Sequence, residues 1–291
     1  MKNYLIIPAL FILLISCKEE KDPSGQIKID SVMYITHSSA IVCITETHDP
    51  VTSSFGVTYA MFENQLDSSS IEACGNGINK IGLKNLKPNT EYFVKAWITV
   101  TNSKNGSIIK NYSKVHKIKT QSVDYFIDNR DSRKYPVVKI NDDIWTAENL
   151  YYKGIEGFTE YNGNINNEQR FGMLYPISKI KDVIPDGWRI PTFDDIQKLL
   201  QEANKNREKT YSLIAPRYCL YDEIVSNKSG FDILFTPRPT NDGFTSDSWA
   251  EFFIDSASDI KIFSIDRDAY VRIYQPTPNN VSNIRLVKNV N

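Results

Sequence analysis

The chain has 291 residues, of which 41% are hydrophobic and 12% aromatic, and its formal net charge is −1. A chain of this length and apolar content can form two domains with hydrophobic cores. The near-zero net charge, with Lys and Arg interspersed among Asp and Glu, argues against a nucleic-acid-binding protein.

The amino terminus has the pattern of a cleaved export signal. Lys2 precedes an apolar run from Tyr4 to Ile15, which is shorter than the roughly 20 residues of a bilayer-spanning helix. The run ends in the motif LISC, at Ser16 and Cys17. An ordinary secretory signal with a chance cysteine is one interpretation of this pattern.

The LISC motif also resembles the lipobox of bacterial lipoproteins. In that family the cysteine receives a diacylglyceryl group and the chain is cleaved before the cysteine. The new amino terminus is then acylated with a fatty acid such as palmitate. The resemblance implies a lipoprotein signal peptide at residues 1–16 and lipidation of Cys17. Two or three acyl chains on one residue hold a globular protein durably to a membrane.

Residues 17–25 are expected to form a lipidated tether. Lys18, Glu19 and Glu20 resemble the export signal of Bacteroidetes lipoproteins, which implies the outer membrane and exposure at the cell surface. The alternative is a solvated linker, because this stretch is charged, contains Pro and Gly, and is poor in apolar residues. The two interpretations are compatible.

Residues 26–120 alternate between apolar and polar side chains, as short β-strands do. The stretches that show it contain Ile27 and Ile29; Ala40, Val42 and Ile44; and Phe55, Val57 and Tyr59. The clearest strand follows the turn at Pro88 and Asn89, where Tyr92, Val94, Ala96 and Ile98 alternate inward. This strand and the closing KVHKIKT resemble the fibronectin type III signature. The resemblance implies an Ig-like β-sandwich in which the Tyr92 hydroxyl bonds to the backbone at a corner.

Phe93 and Trp97 fall on the outward face of the same strand. An exposed aromatic pair can mark an interface, but aromatic side chains are seldom left bare. We therefore expect the pair to pack against the neighbouring domain or a loop.

The cysteines and histidines do not form a recognisable site. With Cys17 lipidated, Cys43, Cys74 and Cys219 remain, an odd number that cannot make a complete disulfide framework. A bond between Cys43 and Cys74 is possible, and buried free thiols are the default. His37, His48 and His116 lack metal-binding spacing, so we interpret them as solvated or satisfied surface residues.

From about residue 123 the sequence becomes rich in aromatic residues, with 11 of the 16 tyrosines beyond residue 120. It contains one clear helix, PTFDDIQKLLQEANK. Thr192 is its predicted N-cap, and Asp195 completes a capping box. Asp194 and Asp195 also complement the helix dipole, so this carboxylate pair is not interpreted as catalytic.

Five blocks in residues 123–291 follow one another in a fixed order: WTAENL, FGMLYPI, VIPDGWRIPT, SGFDILF and NIRLVKN. They resemble the Fibrobacter succinogenes major paralogous domain, in blocks W-x-A-E-N-L, G-x-L-Y, P-x-G-W-x-x-P-T and the closing strand. Where that family has a pair of cysteines, this chain has Ile184 and Leu286. Their joint replacement predicts that the two positions touch, with apolar packing in place of a cross-link.

The family resemblance implies a C-type-lectin-like α+β domain at 123–291, after a fibronectin III/Ig-like sandwich at 26–120. The whole chain would be mainly β with a minor α component. Relatives of that fold include sugar binders, a protein-binding scaffold and a formylglycine-forming oxidase, so the fold does not select a function. Because this segment contains no histidine and only one cysteine, Cys219, we expect no enzyme and no cofactor.

Several polar residues are candidate ligand contacts. Asn241, Asp242, Asp247, Asp255 and Asp259 could bind calcium, but no lectin motif surrounds them, so solvated loops and no metal are expected. Glu148 and Asn149 in WTAENL could contact a ligand. We favour the alternative that Trp145 is a buried anchor and that these two polar neighbours satisfy loop amides. If a ligand site exists, the best loop for it is 236–249, with Arg238, Asp242 and Trp249, but a solvated loop that covers the core is the favoured interpretation.

Two functions fit these features. The first is a surface lipoprotein that binds a glycan or protein, with the sandwich as spacer and the second domain as the binding or adhesion module. The second is a structural subunit of a surface complex without a small ligand. An extracellular enzyme lacks identifiable catalytic residues.

Overall fold

A computed structural model of the protein describes residues 26–47, 53–66, 70–72, 80–102, 105–161, 171–201, 211–216, 219–220, 227–237, 239–240, 243–244, 249–257, 259–266 and 268–290. This part of the chain is mainly β-sheet, as the sequence predicts, and its helices are short. None of the helices described is long and apolar enough to cross a bilayer.

Short antiparallel strands make up the first part of the chain. They are β1 (Gln26–Met33), β2 (Ala40–Thr47), β3 (Ser53–Ala60), β4 (Ser70–Glu72), β5 (Lys80–Leu83), β6 (Glu91–Thr101), β7 (Ile108–Tyr112) and β8 (His116–Lys119). One sheet contains β1, β2 and β5 in that order. A second has the order β4-β3-β6-β7, and β8 also pairs with β6. A 3-10 turn, Glu63–Gln65, follows β3.

The two sheets enclose one hydrophobic core, so this part of the chain is a β-sandwich. The side chains that the alternation places inward are buried in it: Ile27, Ile29, Ala40, Val42, Ile44, Phe55, Val57, Tyr92, Val94, Ala96 and Ile98. The Tyr92 hydroxyl accepts a hydrogen bond of 2.8 Å from the backbone N–H of Lys87. The predicted corner contact is therefore confirmed.

The outward aromatic residues of β6 are covered differently from the prediction. Lys110 Nζ of β7 lies 4.6 Å from the centre of the Trp97 ring, and Lys117 Nζ of β8 lies 4.7 Å from that of Phe93. Lysine stems can cover apolar surface while the ammonium group stays in water. Among the described residues, lysines of adjacent strands lie over these rings, where another domain or a loop was expected.

The second part of the chain forms smaller sheets. Its strands are β9 (Asp124–Ile127), β10 (Lys134–Ile140), β11 (Asp143–Thr146), β12 (Tyr175–Pro176), β13 (Cys219–Leu220), β14 (Pro239–Thr240), β15 (Gly243–Phe244), β16 (Trp249–Ser256), β17 (Asp259–Asp266), β18 (Val271–Tyr274), β19 (Val281–Ser282) and β20 (Val287–Asn289). The terminal strand β20 joins the sheet β20-β11-β10-β9, and β16-β17-β18 form an antiparallel meander. β12 pairs with β19, and β14 with β15.

The predicted helix is present as α2 (Phe193–Gln201), after a 3-10 turn (Ile177–Lys179) that leads into α1 (Ile180–Val183). The Asp195 N–H donates to Thr192 Oγ1 at 3.1 Å, and the Thr192 N–H donates to Asp195 Oδ2 at 2.6 Å. This reciprocal pair is the predicted capping box. Arg189 forms an ion pair with Asp195, which links the cap to the preceding segment.

Ile184 packs against the hydrophobic cluster that contains Leu286. Close by, Arg189 and Val287 exchange backbone hydrogen bonds of 3.1 and 2.9 Å. Ile184 and Leu286 therefore belong to one hydrophobic cluster, and direct contact between their side chains stays a prediction.

The sandwich and the second part share a packed boundary. Cys219 and Leu220 of β13 pair with Ile81 and Lys80 of β5, so the later segment extends a sandwich sheet. Ile41 of β2 is buried in the cluster that contains Trp145 and Phe231. Strand β2 is therefore buried on both faces, because Ala40, Val42 and Ile44 face the sandwich core and Ile41 faces the second part.

Of the cysteines, Cys43 has a free thiol and is partly buried at this boundary. Cys74 lies outside the described residues. The default interpretation of an unpaired thiol therefore holds for Cys43.

Candidate functional site

A cleft of about 590 Å³ opens where the sandwich meets the second part of the chain. The sandwich contributes His37, Ser38, Asn85, Leu86 and Pro88 to its walls, and the second part contributes Tyr125, Arg133, Lys134, Pro136, Ala147, Glu148, Asn149, Asp232, Leu234 and Arg285. We call it the junction cleft. Most of its lining side chains are polar or charged, and they carry both signs of charge beside the Tyr125 ring.

Arg285 forms the floor of the junction cleft. Its guanidinium donates to Asn149 Oδ1 at 2.7 Å and to the carbonyl oxygens of Thr146 at 3.0 Å, Phe231 at 2.7 Å and Asp232 at 3.2 Å. Burial lowers its pKa to about 10, against the opposing effect of the Asp232 and Glu148 carboxylates. The group remains charged at neutral pH and ties three chain segments together.

Asn149 is held on both sides of its amide. Its Oδ1 accepts from Arg285, and its Nδ2 donates to the Phe171 carbonyl oxygen at 2.8 Å. Gly172 passes so close that a Cβ there would lie 2.5 Å from the Asn149 Cβ, at a φ of +78° that favours glycine. The close approach and the positive φ therefore explain why a glycine occupies this position of the FGMLYPI block. The interpretation of WTAENL as a buried anchor is correct for Trp145 and Asn149.

Glu148 departs from that interpretation, because its side chain lines the junction cleft and is 38% exposed. Its carboxylate lies 3.8 Å from the guanidinium of Arg133. Burial raises the pKa of Glu148 and Asp232 adds to the rise, whereas Arg133 and Arg285 oppose it. Arg133 itself lies 4.4 Å from the centre of the Tyr151 ring, which helps to orient it.

Asn227 connects the two parts of the chain behind the junction cleft. Its Nδ2 donates to Ser39 Oγ of the sandwich at 3.1 Å and to Asp232 Oδ1 at 2.9 Å. Its Oδ1 accepts from the Asp232 N–H at 2.8 Å. The residue is fully buried and has a φ of +47°, which asparagine tolerates better than most residues. Asp232 is thereby fixed at the wall of the cleft.

His37 is buried, with 5% of its surface exposed, so its interpretation as a surface histidine is wrong. It packs beside Gly230, where an added Cβ would lie 3.3 Å from the imidazole Nδ1. Burial lowers the pKa of His37, and the nearby Asp232 carboxylate opposes that shift.

His37 makes stability depend on pH. Because the pKa of His37 is lower in the folded state, the unfolded chain binds a proton more readily than the folded chain. The neutral imidazole therefore makes its full contribution to the free energy of unfolding above pH 6.5. That contribution is lost as the pH falls through the lowered pKa. We expect the stability of a His37→Gln variant to fall less steeply than that of the wild type as pH drops below 6.5. Urea unfolding at a series of pH values checks this. Parallel curves for the two proteins would contradict it.

The structure describes only part of the 236–249 loop, the candidate ligand-binding loop predicted from the sequence. Arg238, Asp242 and Cys17, the predicted lipidation site, lie outside the described residues. Trp249 begins β16, where the Arg272 guanidinium lies 4.6 Å from the centre of its ring, and it is not among the cleft residues. In the described ranges there is no group of three or more His, Cys, Asp or Glu side chains that could hold a metal ion.

Sequence reasoning missed His37 and Asp232 as residues of one site. The available signals were weak: an uninterrupted apolar run at Ala40–Ile44, which indicates a strand buried on both faces, and a lone acid in the apolar block SGFDILF. Neither signal identifies its partner.

The chain was compared with known proteins. No protein-family model matches it, and no curated protein does. Among solved structures, a computationally redesigned β-sandwich protein is 24% identical over 32% of this chain and 92% of its own, with a TM-score of 0.24. The sensor domain of the anti-sigma factor RsgI4 of Pseudobacteroides cellulosolvens is 20% identical over 35% of this chain and 99% of its own, with a TM-score of 0.25. At these TM-scores neither similarity bears on function.

Proposed function

We propose that the protein is a lipid-anchored protein of the outer membrane surface that binds a glycan or protein ligand in the junction cleft, without catalysis. The observation that carries the proposal is the cleft itself, where Glu148, Arg133 and Tyr125 face the opening over a floor held by Arg285. The supporting residues are buried and hydrogen-bonded, so the exposed groups are held ready for a ligand.

The sequence resemblances support this assignment. A fibronectin type III-like sandwich is proposed for 26–120, and a Fibrobacter succinogenes major paralogous domain with a C-type-lectin-like fold for 123–291. The terminal strand β20 belongs to the same sheet as β9, β10 and β11, the first strands of this segment. The sandwich then has two roles: it is a spacer, and it supplies one wall of the cleft through His37 and Asn85.

Binding in the junction cleft is tested on the mature protein with a glycan array. For a ligand found there, Arg133→Gln and Glu148→Gln are each expected to raise the dissociation constant at least about tenfold, because each removes a charged contact. Lys139→Gln, an exposed residue of β10 that is not in the cleft, is the matched control. Equal affinity for all three variants would exclude the cleft as the binding site.

The membrane anchor rests on the LISC motif and on Cys17. We expect the wild-type protein to fractionate with membranes and a Cys17→Ser variant to lose that association, because the acyl chains supply the binding energy. Protease treatment of intact cells, followed by immunoblotting, checks surface exposure. A Cys17→Ser protein that remains in the membrane fraction would contradict the anchor.

The second candidate, a subunit of a surface complex, is favoured by one feature. Strand β9 is at the edge of its sheet, and Tyr125 and Ile127 are 47% and 48% exposed there. An exposed edge strand is able to pair with a strand of another protein. Copurification of one stoichiometric partner, lost on Ile127→Lys, would support this role over the first.

A further inference from the structure

The outer face of the β6 sheet carries lysines over aromatic rings. Three pairs of cation and ring lie there: Lys110 at 4.6 Å from Trp97, Lys117 at 4.7 Å from Phe93 and Lys95 at 4.0 Å from Tyr112. We call these six residues the lysine–aromatic face. Strand register explains the grouping, because β7 places Tyr112 opposite Trp97 and β8 places Lys117 opposite Phe93.

The Trp97 indole is only 6% exposed, yet among the described residues its Nε1–H has no hydrogen-bond acceptor. Buried donors in native proteins are almost always paired, so an orphan donor calls for an explanation. Lys110, which lies over this ring, is an exposed residue with a long, flexible side chain. Movement of that side chain would open the donor to an acceptor arriving from solvent.

The charge of the face favours an anionic acceptor. The whole chain has a net charge of −1, but three ammonium groups lie over the rings of this one face. The Glu91 carboxylate is 3.6 Å from Lys117, and both side chains are more than half exposed, so water and salt weaken that pair.

We propose that the lysine–aromatic face binds an acidic polysaccharide, with one carboxylate held between the Lys110 ammonium and the Trp97 Nε1–H. The acceptor must reach a donor on the ring that lies beneath the Lys110 ammonium. A carboxylate on a flexible sugar chain can do so, whereas a bilayer surface is held off by the lysines. The site lies on the sheet of β6, β7 and β8 and shares no residue with the junction cleft.

Polygalacturonate oligosaccharides are the probe, titrated into the mature protein while the indole N–H signals are followed by NMR. We expect the Trp97 N–H signal to shift, and Trp97→Phe and Lys110→Gln each to weaken binding at least about tenfold. Dextran, which is uncharged, should not bind, and Lys139→Gln, outside the face, should bind as the wild type does. Binding should weaken in 0.5 M NaCl.

Each other outcome overturns the proposal. The proposal is wrong if polygalacturonate does not bind, or if it binds without shifting the Trp97 N–H signal of the wild-type protein. It is also wrong if Trp97→Phe binds polygalacturonate as tightly as the wild type does, or if the protein binds phosphatidylglycerol vesicles but not polygalacturonate. The NMR readout uses the wild type, so it stands even where a variant fails to fold. Arg133→Gln and Glu148→Gln should leave this binding unchanged, which separates the test from that of the junction cleft.

Discussion

Arg285→Met is expected to lower the free energy of unfolding by about 3 kcal/mol or more, because it leaves buried acceptors without a donor. The guanidinium satisfies Asn149 Oδ1 and the carbonyl oxygens of Thr146, Phe231 and Asp232, and each unsatisfied buried polar group costs about 1–3 kcal/mol. Methionine keeps the apolar stem and supplies no donor. Urea unfolding monitored by tryptophan fluorescence measures the change.

A matched variant separates the loss of these hydrogen bonds from the loss of an arginine. Arg272→Met removes a side chain that is 62% exposed, and it should change stability by only about 0.5 kcal/mol. Arg285→Lys keeps the charge but lacks the planar fork of donors, so its stability should lie between those of the wild type and Arg285→Met. If Arg285→Met unfolds at the same urea concentration as Arg272→Met, Arg285 is not the structural centre of the cleft.

Asn227→Ala is expected to cost about 2–4 kcal/mol, since it removes hydrogen bonds and strains the backbone. The side chain bonds to Ser39 of the sandwich and to both the backbone and the carboxylate of Asp232. Alanine at a φ of +47° adds about 1 kcal/mol of backbone cost. Differential scanning calorimetry is the measurement, and a broader or split transition would show that the two parts of the chain have been uncoupled.

Asn141→Ala is the control for the backbone cost. Asn141 has a similar φ of +55° but is exposed, and its side chain makes a 3.5 Å contact with the Lys198 carbonyl oxygen. The difference between the two variants therefore measures the buried hydrogen bonds. Equal destabilisation would mean that Asn227 contributes through its backbone conformation alone.

Elements whose determinants are close in sequence were predictable. The Thr192 and Asp195 cap spans three residues, and the Tyr92 corner contact spans five. Strand faces followed from alternation, because successive side chains of a strand point to opposite sides. The covering of Trp97 was not predictable, since it depends on which lysine of a neighbouring strand lies across it.

The amino-acid sequence by itself determined the β-rich character, the sandwich core and the cap of α2, all of which arise from local periodicity and short-range hydrogen bonds. Tertiary structure alone decided the junction cleft, because its framework joins residues far apart in the chain: Asn227 to Ser39 across 188 positions and Arg285 to Asn149 across 136. Burying a polar group requires a partner for it, and only the folded chain determines which partner is within reach.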